Sequence, residues 1–146
     1  MLSITGLDFT VDTSLFRHIA TREKELLLPS VKKMMKSVRC PFSLILTCDR
    51  AEVVSEGVVP SEILERALGV NPIAAAKCRY SFSGDEAVHH VFLLSAGMLS
   101  PLFGEDTVQG QINDGAAQSR LAGSASPYID KLRTWLSLSR RECTPR

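Results

Sequence analysis

Four short apolar runs in the first part of the chain each end in turn residues, a pattern that is typical of β-strands. They read LSITGLD, PFSLILTC, AEVVSEG and KCRYSFSG. A glycine or a charged residue lies at or just after the end of each run, and each run is long enough for one strand. The pattern therefore predicts four strands within residues 1–84.

Segments of helical period lie between these strands. The second part of residues 14–38 has one apolar face, formed by Val31, Met34, Met35 and Val38. Because proline is tolerated in a first helical turn, we predict two helices here, the second beginning near Pro29. Another helix follows Pro60 and ends at Gly69 as its C-cap. The order β-α-β-β-α-β predicts an α+β fold with a ferredoxin-like antiparallel sheet.

From residue 85 onward the hydrophobic period is helical. The segment AVHHVFLLSAG is apolar almost all round, which predicts a buried helix. In GEDTVQGQINDGAAQSRLAG, Gly110 and Gly115 interrupt a second helical pattern, and glycines there indicate close approach of another backbone. A third helix is predicted in SPYIDKLRTWLSLSRR, capped by Ser126. We therefore predict a ferredoxin-like subdomain over residues 1–84 and a helical subdomain over residues 85–146, packed as one unit.

Composition and charge are those of an ordinary folded domain. The chain has 146 residues, 45% of them hydrophobic and 23% charged, with a formal net charge of +1. These values argue against disorder and against a strongly basic nucleic-acid surface, although a local patch remains compatible with RNA contact. No apolar stretch is long enough to cross a membrane, and the first residues lack the basic region of a secretory signal. We expect a cytoplasmic protein with no membrane partner.

Metal and nucleotide sites have no motif support. The cysteines are Cys40, Cys48, Cys78 and Cys143, without a CxxC pair, and the chain has only three histidines. We therefore expect no metal site. Neither GxGxxG nor GxxxxGK[ST] occurs, so the sequence offers no phosphate-binding loop.

Cys48 ends the apolar run LILTC and is followed at once by Asp49 and Arg50. If the strand stays extended, Cys48 and Arg50 face the same side, and the guanidinium would favour the nucleophilic thiolate. Buried packing is the competing interpretation, because free cysteine is among the most buried residue types. Residue types alone favour packing. The other three cysteines have no such neighbours and are interpreted as structural.

His89 and His90 precede the apolar part of the first predicted helix of the second half. Adjacent helical residues point in different directions, so we expect at most one of them to face a cleft. A partly exposed histidine at the edge of the core is the competing interpretation. A cysteine–histidine couple would allow proton transfer to a leaving group.

The segment GEDTVQGQ places glycines and polar side chains at the start of a predicted helix. They are Gly104, Glu105, Gly110 and Gln111. A capped helix N-terminus with a glycine packing notch and a ligand-facing loop are both compatible with this pattern. The residues leave these two interpretations open.

Three segments in order resemble the N-terminal catalytic domain of glutamyl-tRNA reductase. That family carries S-T-C-N-R-x-E, and here Leu46–Glu52 reads LTCDRAE. Its A-V-x-H-L-F-x-V-A-x-G-L-D-S is similar to AVHHVFLLSAGMLS, and its G-E-x-Q-I-x-G-Q-V to GEDTVQGQI. The opening G-I-N-H motif is matched only loosely by GLDFTVDTSLFRH. The resemblance covers nearly the whole chain, and it turns the preference for Cys48 from packing to nucleophile.

The resemblance implies an enzyme of tetrapyrrole, including heme, biosynthesis. Its cysteine attacks the ester of glutamyl-tRNA, and NADPH then reduces the thioester to glutamate-1-semialdehyde. Catalytic roles would fall to Cys48 and His90. Substrate binding would fall to Thr47, Arg50, Ser100, Glu105 and Gln111, with the arginine suited to the carboxylate of glutamate. The partners implied are glutamyl-tRNA and the next enzyme of the pathway, glutamate-1-semialdehyde aminomutase.

Several motif positions differ from the family pattern, and they define an alternative. They are Asp8, Phe9, Asp49, Leu93, Leu99 and Thr107. A carboxylate at Asp49, beside the thiol, would disfavour the thiolate and an anionic substrate. The sequence also stops before the family's NADPH-binding domain, so we expect no NADPH site within it. The alternative is therefore a non-catalytic relative that binds tRNA or a pathway enzyme.

Overall fold

The computed structural model describes residues 1–95 and 107–124, together with residues 126, 127, 129 and 131. Its strands are β1 (Ser3–Asp8), β2 (Phe42–Leu46), β3 (Arg50–Ser55) and β4 (Arg79–Ser83). Its helices are α1 (Thr13–Ala20), α2 (Glu23–Met35), α3 (Ser61–Leu68), α4 (Pro72–Ala75), α5 (Asp85–Ser95) and α6 (Thr107–Ala122).

The strands form one sheet in the order β2-β3-β1-β4, and every neighbouring pair is antiparallel. Helices α1 and α2 connect β1 to β2, and α3 and α4 connect β3 to β4. The order and the pairing confirm the predicted α+β class and its ferredoxin-like antiparallel sheet. The predicted division of the chain after residue 84 stays a prediction.

Side chains from the two faces of the sheet enter two separate apolar clusters, because successive strand residues point to opposite faces. The cluster on the first face, shared with α1, α2, α3 and α4, includes Leu7, Phe16, Leu44, Val53, Leu64 and Ala75. The cluster on the second face, shared with α5 and α6, includes Ile4, Ile45, Val54, Val91 and Ile112. In β3, Ala51 and Val53 face one way and Val54 the other. The even-numbered residues of β3 therefore face α5 and α6.

The predicted helix break at Pro29 is wrong. Helix α2 runs through Pro29, and the break between α1 and α2 lies at residues 21–22. Pro29 is exposed. The buried residues of this helix are Leu27, Ser30, Val31 and Met34. Their helical spacing keeps one face of α2 on the sheet, and this burial offsets the roughly 3 kcal/mol that proline costs in a helix interior.

Helix α6 approaches the backbone of β2 at Gly115. A Cβ atom at Gly115 would lie 2.2 Å from the carbonyl oxygen of Leu44. No side chain fits into that gap, so the glycine sets the distance between helix and strand. This contact confirms the prediction of close backbone approach for Gly115, whereas the surroundings of Gly110 lie outside the described side chains.

The residues after α6 return to the start of β2. The backbone N–H of Phe42 donates to the carbonyl of Ser124 at 3.0 Å, and Oγ of Ser124 donates to the carbonyl of Phe42 at 3.1 Å. Oγ of Ser126 accepts from the N–H of Ile129 at 3.2 Å, which confirms Ser126 as a helix cap. The predicted helix beyond residue 131 lies outside the described residues.

A candidate active site at the β2–β3 hairpin

Residues 47–49 form the tip of the hairpin between β2 and β3. The backbone N–H of Thr47 donates to the carbonyl of Arg50 at 2.9 Å. Oγ1 of Thr47 accepts from the N–H groups of Asp49 and Arg50, both at 3.1 Å. The common two-residue hairpin turns need residues with positive φ values. Among the described residues only glycines have positive φ, and residues 47–49 include no glycine. The buried hydroxyl of Thr47 therefore closes the turn instead.

The turn exposes the thiol of Cys48. This exposure contradicts the packing interpretation of Cys48, which required a buried side chain. It also corrects the prediction of an extended strand through Cys48, because hydrogen bonds to Thr47 bend the chain at this point. The bend brings the thiol to the surface. Arg50, the first residue of β3, follows Cys48 by two positions in the sequence.

The other described thiols are less accessible. Cys40 is half-buried and Cys78 is buried. Burial, and then the charges of Asp12 and Asp8, raise the pKa of the Cys78 thiol, which makes the thiolate still rarer there. Cys48 is therefore the thiol best placed to react among those that the structure describes, and Cys143 lies outside the described residues.

A buried ionic cluster lies behind the hairpin tip on the second face of the sheet; we call Arg50, Glu52, Tyr80 and His90 the Glu52 cluster. Glu52 is fully buried. Its Oε1 accepts from the hydroxyl of Tyr80, contacts Nε2 of His90 and lies 3.7 Å from a guanidinium nitrogen of Arg50. Its Oε2 has no hydrogen-bond partner among the described residues. The contacts of this carboxylate thus converge on one oxygen.

Gly6 allows Tyr80 to reach Glu52 across β1. In the sheet, Gly6 lies between Glu52 of β3 and Tyr80 of β4. A Cβ atom at Gly6 would lie 2.3 Å from Cζ of Tyr80, so the tyrosine ring fills the space that a side chain would take. Burial, and then the charge of Glu52, raise the pKa of Tyr80 far above its ordinary value. Tyr80 is therefore a neutral phenol that donates a hydrogen bond to the carboxylate.

Helix α5 brings His90 into this cluster and leaves His89 exposed. The imidazole of His90 stacks on Phe82, with ring centroids 4.7 Å apart and 28° between the planes. The ring of Tyr80 lies 5.5 Å away on a tilted plane. With Nε2 on Glu52, the position of the His90 ring is set by three neighbours. The two histidines therefore differ in direction as predicted, and one of them faces inward.

The structure brings some of the predicted site residues together and not others. Thr47, Cys48 and Arg50 share the hairpin, and His90 joins Arg50 through Glu52. Gln111 is half-buried on α6, one residue before Ile112. Ser100 and Glu105 lie outside the described residues. The substrate-binding roles of all five predicted residues stay predictions, and the observed role of Thr47 is to shape the turn.

Glu52 and Tyr80 are the residues that reasoning from the sequence missed. A signal for Glu52 was present, because it is the one acid within the apolar run AEVV. A charged residue inside a strand buried on both faces needs partners, and its even position shares a face with Arg50. Tyr80 gave no comparable signal, since its contact depends on the register of β1 between two strands.

Two other kinds of site are absent from the described ranges. Within them, no group of three or more histidine, cysteine, aspartate or glutamate side chains is arranged to hold a metal ion. None of the helices described has both the length and the hydropathy needed to cross a membrane. The hairpin and the Glu52 cluster contain an accessible thiol, a guanidinium and an oriented imidazole.

Comparison with known proteins relates the sequence to a known family. The family model described as "Glutamyl-tRNAGlu reductase, N-terminal domain" matches residues 10–140. The glutamyl-tRNA reductase of Shewanella oneidensis is 29% identical over 92 residues, which are 61% of this chain and 22% of that protein. The glutamyl-tRNA reductase of Shewanella amazonensis is 28% identical over 120 residues, 76% of this chain and 29% of that protein.

A solved structure has the same fold. Glutamyl-tRNA reductase from Methanopyrus kandleri matches with a TM-score of 0.65 at 19% sequence identity, over 97% of this chain and 34% of that chain. At this identity the likeness concerns the fold alone. The chain spans between 22% and 29% of the length of the curated relatives described above.

Proposed function

The chain belongs to the family of glutamyl-tRNA reductase N-terminal domains, whose model covers residues 10–140, and from this premise we propose that it forms a thioester with the glutamate of glutamyl-tRNA. The pathway served would be tetrapyrrole biosynthesis. One observation carries the proposal: the exposed thiol of Cys48 lies on the same hairpin as Arg50, which is linked through Glu52 to His90. In this proposal Cys48 is the nucleophile, Arg50 the cation and His90 the base.

Cys48 is the proposed nucleophile. Its sulfur attacks the carbonyl carbon of the glutamyl ester, so that a carbon–sulfur bond forms and the bond to the ribose oxygen breaks. His90 takes the proton of the thiol and passes it to the departing ribose oxygen. The products are a glutamyl thioester on Cys48 and a tRNA with a free terminal hydroxyl group, so atoms and charges balance.

Arg50 is the proposed partner of the substrate's side-chain carboxylate. A guanidinium binds a carboxylate through two parallel hydrogen bonds, a geometry that lysine does not provide. Arg50 begins β3 and is buried beside Glu52, which limits its motion and pre-positions its charge. Thr47 contributes by fixing the turn between this cation and the thiol.

The described residues do not fit NADPH. A dinucleotide site of the Rossmann type needs a parallel βαβ unit with a glycine-rich first turn. The sheet here is antiparallel throughout its described pairs, and the sequence has no GxGxxG. In the family, NADPH supplies the hydride that reduces the thioester. No step of that reduction is assigned to these residues.

Acid-quenched reactions with radiolabelled glutamyl-tRNA test the proposal. We expect label on the wild-type protein that neutral hydroxylamine removes, since hydroxylamine cleaves thioesters. The Cys48→Ala variant should carry no label. Cys40→Ala is the matched control, because it removes a half-buried thiol, and it should be labelled like the wild type. Equal labelling of the Cys48→Ala protein would overturn the assignment of the nucleophile.

A non-catalytic binding module is the second candidate, and Asp49 is the observation that favours it. Its carboxylate is half-buried in the turn, directly after the thiol, where the family has asparagine. Such a protein would bind tRNA or a pathway enzyme such as glutamate-1-semialdehyde aminomutase without turnover. Binding of glutamyl-tRNA in a gel-shift experiment, without any label transfer, would favour this second candidate. Restored transfer in Asp49→Asn would identify Asp49 as the cause.

A further inference from the structure

The Glu52 cluster contains more contacts than a simple ion pair, because three side chains surround one carboxylate oxygen. Glu52 is fully buried, yet its neighbours gather on Oε1 and leave Oε2 without a partner in the described part of the chain. Most buried polar side-chain atoms in proteins have a hydrogen-bond partner. The arrangement instead fixes one oxygen against one nitrogen of His90.

We infer that Glu52 is a positioning residue that holds His90 in the tautomer with the proton on Nε2, and that Nδ1 is the nitrogen that exchanges protons with Cys48 and the ribose oxygen. This inference rests on the proposed function for the exchange itself. The tautomer can be established without it, because it concerns the resting protein. The same contact fixes the direction in which Nδ1 points.

Hydrogen-bond chemistry assigns the tautomer. An ionised carboxylate only accepts, so each neighbour of Oε1 has to donate. Tyr80 donates a hydrogen bond through its hydroxyl, because burial and the charge of Glu52 raise its pKa and keep the phenol neutral. Nε2 of His90 therefore carries a proton toward Glu52, and in the neutral imidazole the lone pair is left on Nδ1. The general rule that a second group sets the reacting nitrogen of histidine applies here.

The rings around His90 support the same orientation. Phe82 stacks on the imidazole at 4.7 Å and Tyr80 lies at 5.5 Å, so the ring is held between β4 and α5. A half-turn of the imidazole would exchange the nitrogens for carbons at the edge facing Glu52 and lose the Nε2 contact. Since Glu52 is fully buried, water would not replace that contact easily. Orientation and tautomer are thus coupled.

The test is nitrogen NMR of the imidazoles in the uniformly labelled chain near neutral pH, with His90 assigned from the His90→Gln variant. We expect a pyrrole-type signal for Nε2 of His90 and a pyridine-type signal for Nδ1. His89 is exposed and serves as the internal reference, and we expect its signals to be averaged between the two tautomers. In Glu52→Gln, whose amide both donates and accepts, we expect the tautomer preference of His90 to weaken toward that reference. In Tyr80→Phe, which keeps the carboxylate, the preference should persist.

A proton on Nδ1 in the wild-type spectrum would overturn the inference, and so would a spectrum unchanged by Glu52→Gln. If Glu52→Gln does not fold, the wild-type and Tyr80→Phe spectra still decide the tautomer. In the labelling assay, Glu52→Gln should slow thioester formation by about 10²-fold, within the range typical of general acid–base catalysis. The predicted tautomer without any label transfer would contradict the proposed function and leave the tautomer assignment standing.

Discussion

Within the part of the chain that the structure describes, two glutamates are fully buried, and they are bound in different ways. Glu65 of α3 has both oxygens on Arg79, with Oε2 at 3.1 Å from Nε and Oε1 at 2.6 Å from Nη2. Glu52 of β3 has its contacts on Oε1 alone. The first is a complete two-point pair, and the second leaves one oxygen unused.

The surroundings explain the difference. Glu65 and Arg79 join α3 to the start of β4, and the same guanidinium also donates to the carbonyl of Pro72 at 3.1 Å. Each group of this pair has its partners within the fold, as expected of a structural contact. Glu52 instead connects a tyrosine, a histidine and an arginine, and the arginine follows the exposed Cys48 by two positions. Of these two carboxylates, the incompletely paired one is thus the one in the Glu52 cluster.

The largest expected difference between the two glutamates is in stability. Glu65→Gln should lower the free energy of unfolding more than Glu52→Gln does, because an amide has one acceptor oxygen and cannot accept both hydrogen bonds that Arg79 donates to the carboxylate. Glu52→Gln should lower it by about 1 kcal/mol, since the amide still offers an acceptor to Tyr80 and His90. Urea denaturation of both variants measures the two values. A larger loss of stability for Glu52→Gln than for Glu65→Gln would contradict the difference in pairing between the two glutamates.

The next largest effect is expected at Gly6, where the space for Tyr80 can be closed. Gly6→Ala should cost about 2 kcal/mol, because the added Cβ displaces the tyrosine ring from Glu52. Gly57→Ala is the control, since a Cβ there would lie 3.4 Å from Sγ of Cys40. If the variants at 6 and 57 are equally stable in urea, the ring of Tyr80 is not held as described.

The smallest effect concerns alkaline pH. The pKa of Tyr80 is raised in the folded state, chiefly by burial, so the folded state keeps a proton that the unfolded state loses above about pH 10. Stability from this group is complete below that pH and falls as pH rises, by up to roughly 1.4 kcal/mol per pH unit. Tyr80→Phe should lack this part of the decline between pH 9 and pH 11. Tyr128 is common to both proteins, so its contribution cancels in the comparison.

The sequence predicted those parts of the fold that depend on local pattern. The four strands and the glycine contact of α6 followed from short apolar runs and from Gly115 in a helical period. The break at Pro29 was misplaced because the buried stripe of α2 outweighs the local cost of proline. Local rules do not include that tertiary contribution.

The candidate site was predictable only in part, for the same reason. Cys48, Arg50 and His90 were found through motif resemblance, and each lies in or beside the hairpin and the Glu52 cluster. The contact between Glu52 and His90 joins residues 38 positions apart. That of Tyr80 with Glu52 depends on strand register and on an absent side chain at Gly6. Neither contact can be inferred from the spacing of the residues along the sequence.

The double hydrogen bond between Phe42 and Ser124 also bears on aggregation. β2 is the outer strand on its side of the sheet, and a bare outer strand is a template for intermolecular pairing. The N–H of Phe42 points away from β3 and is taken by the carbonyl of Ser124, while Oγ of Ser124 covers the carbonyl of Phe42. The segment that follows α6 thus occupies backbone groups of β2 with which a strand of a second molecule could otherwise pair.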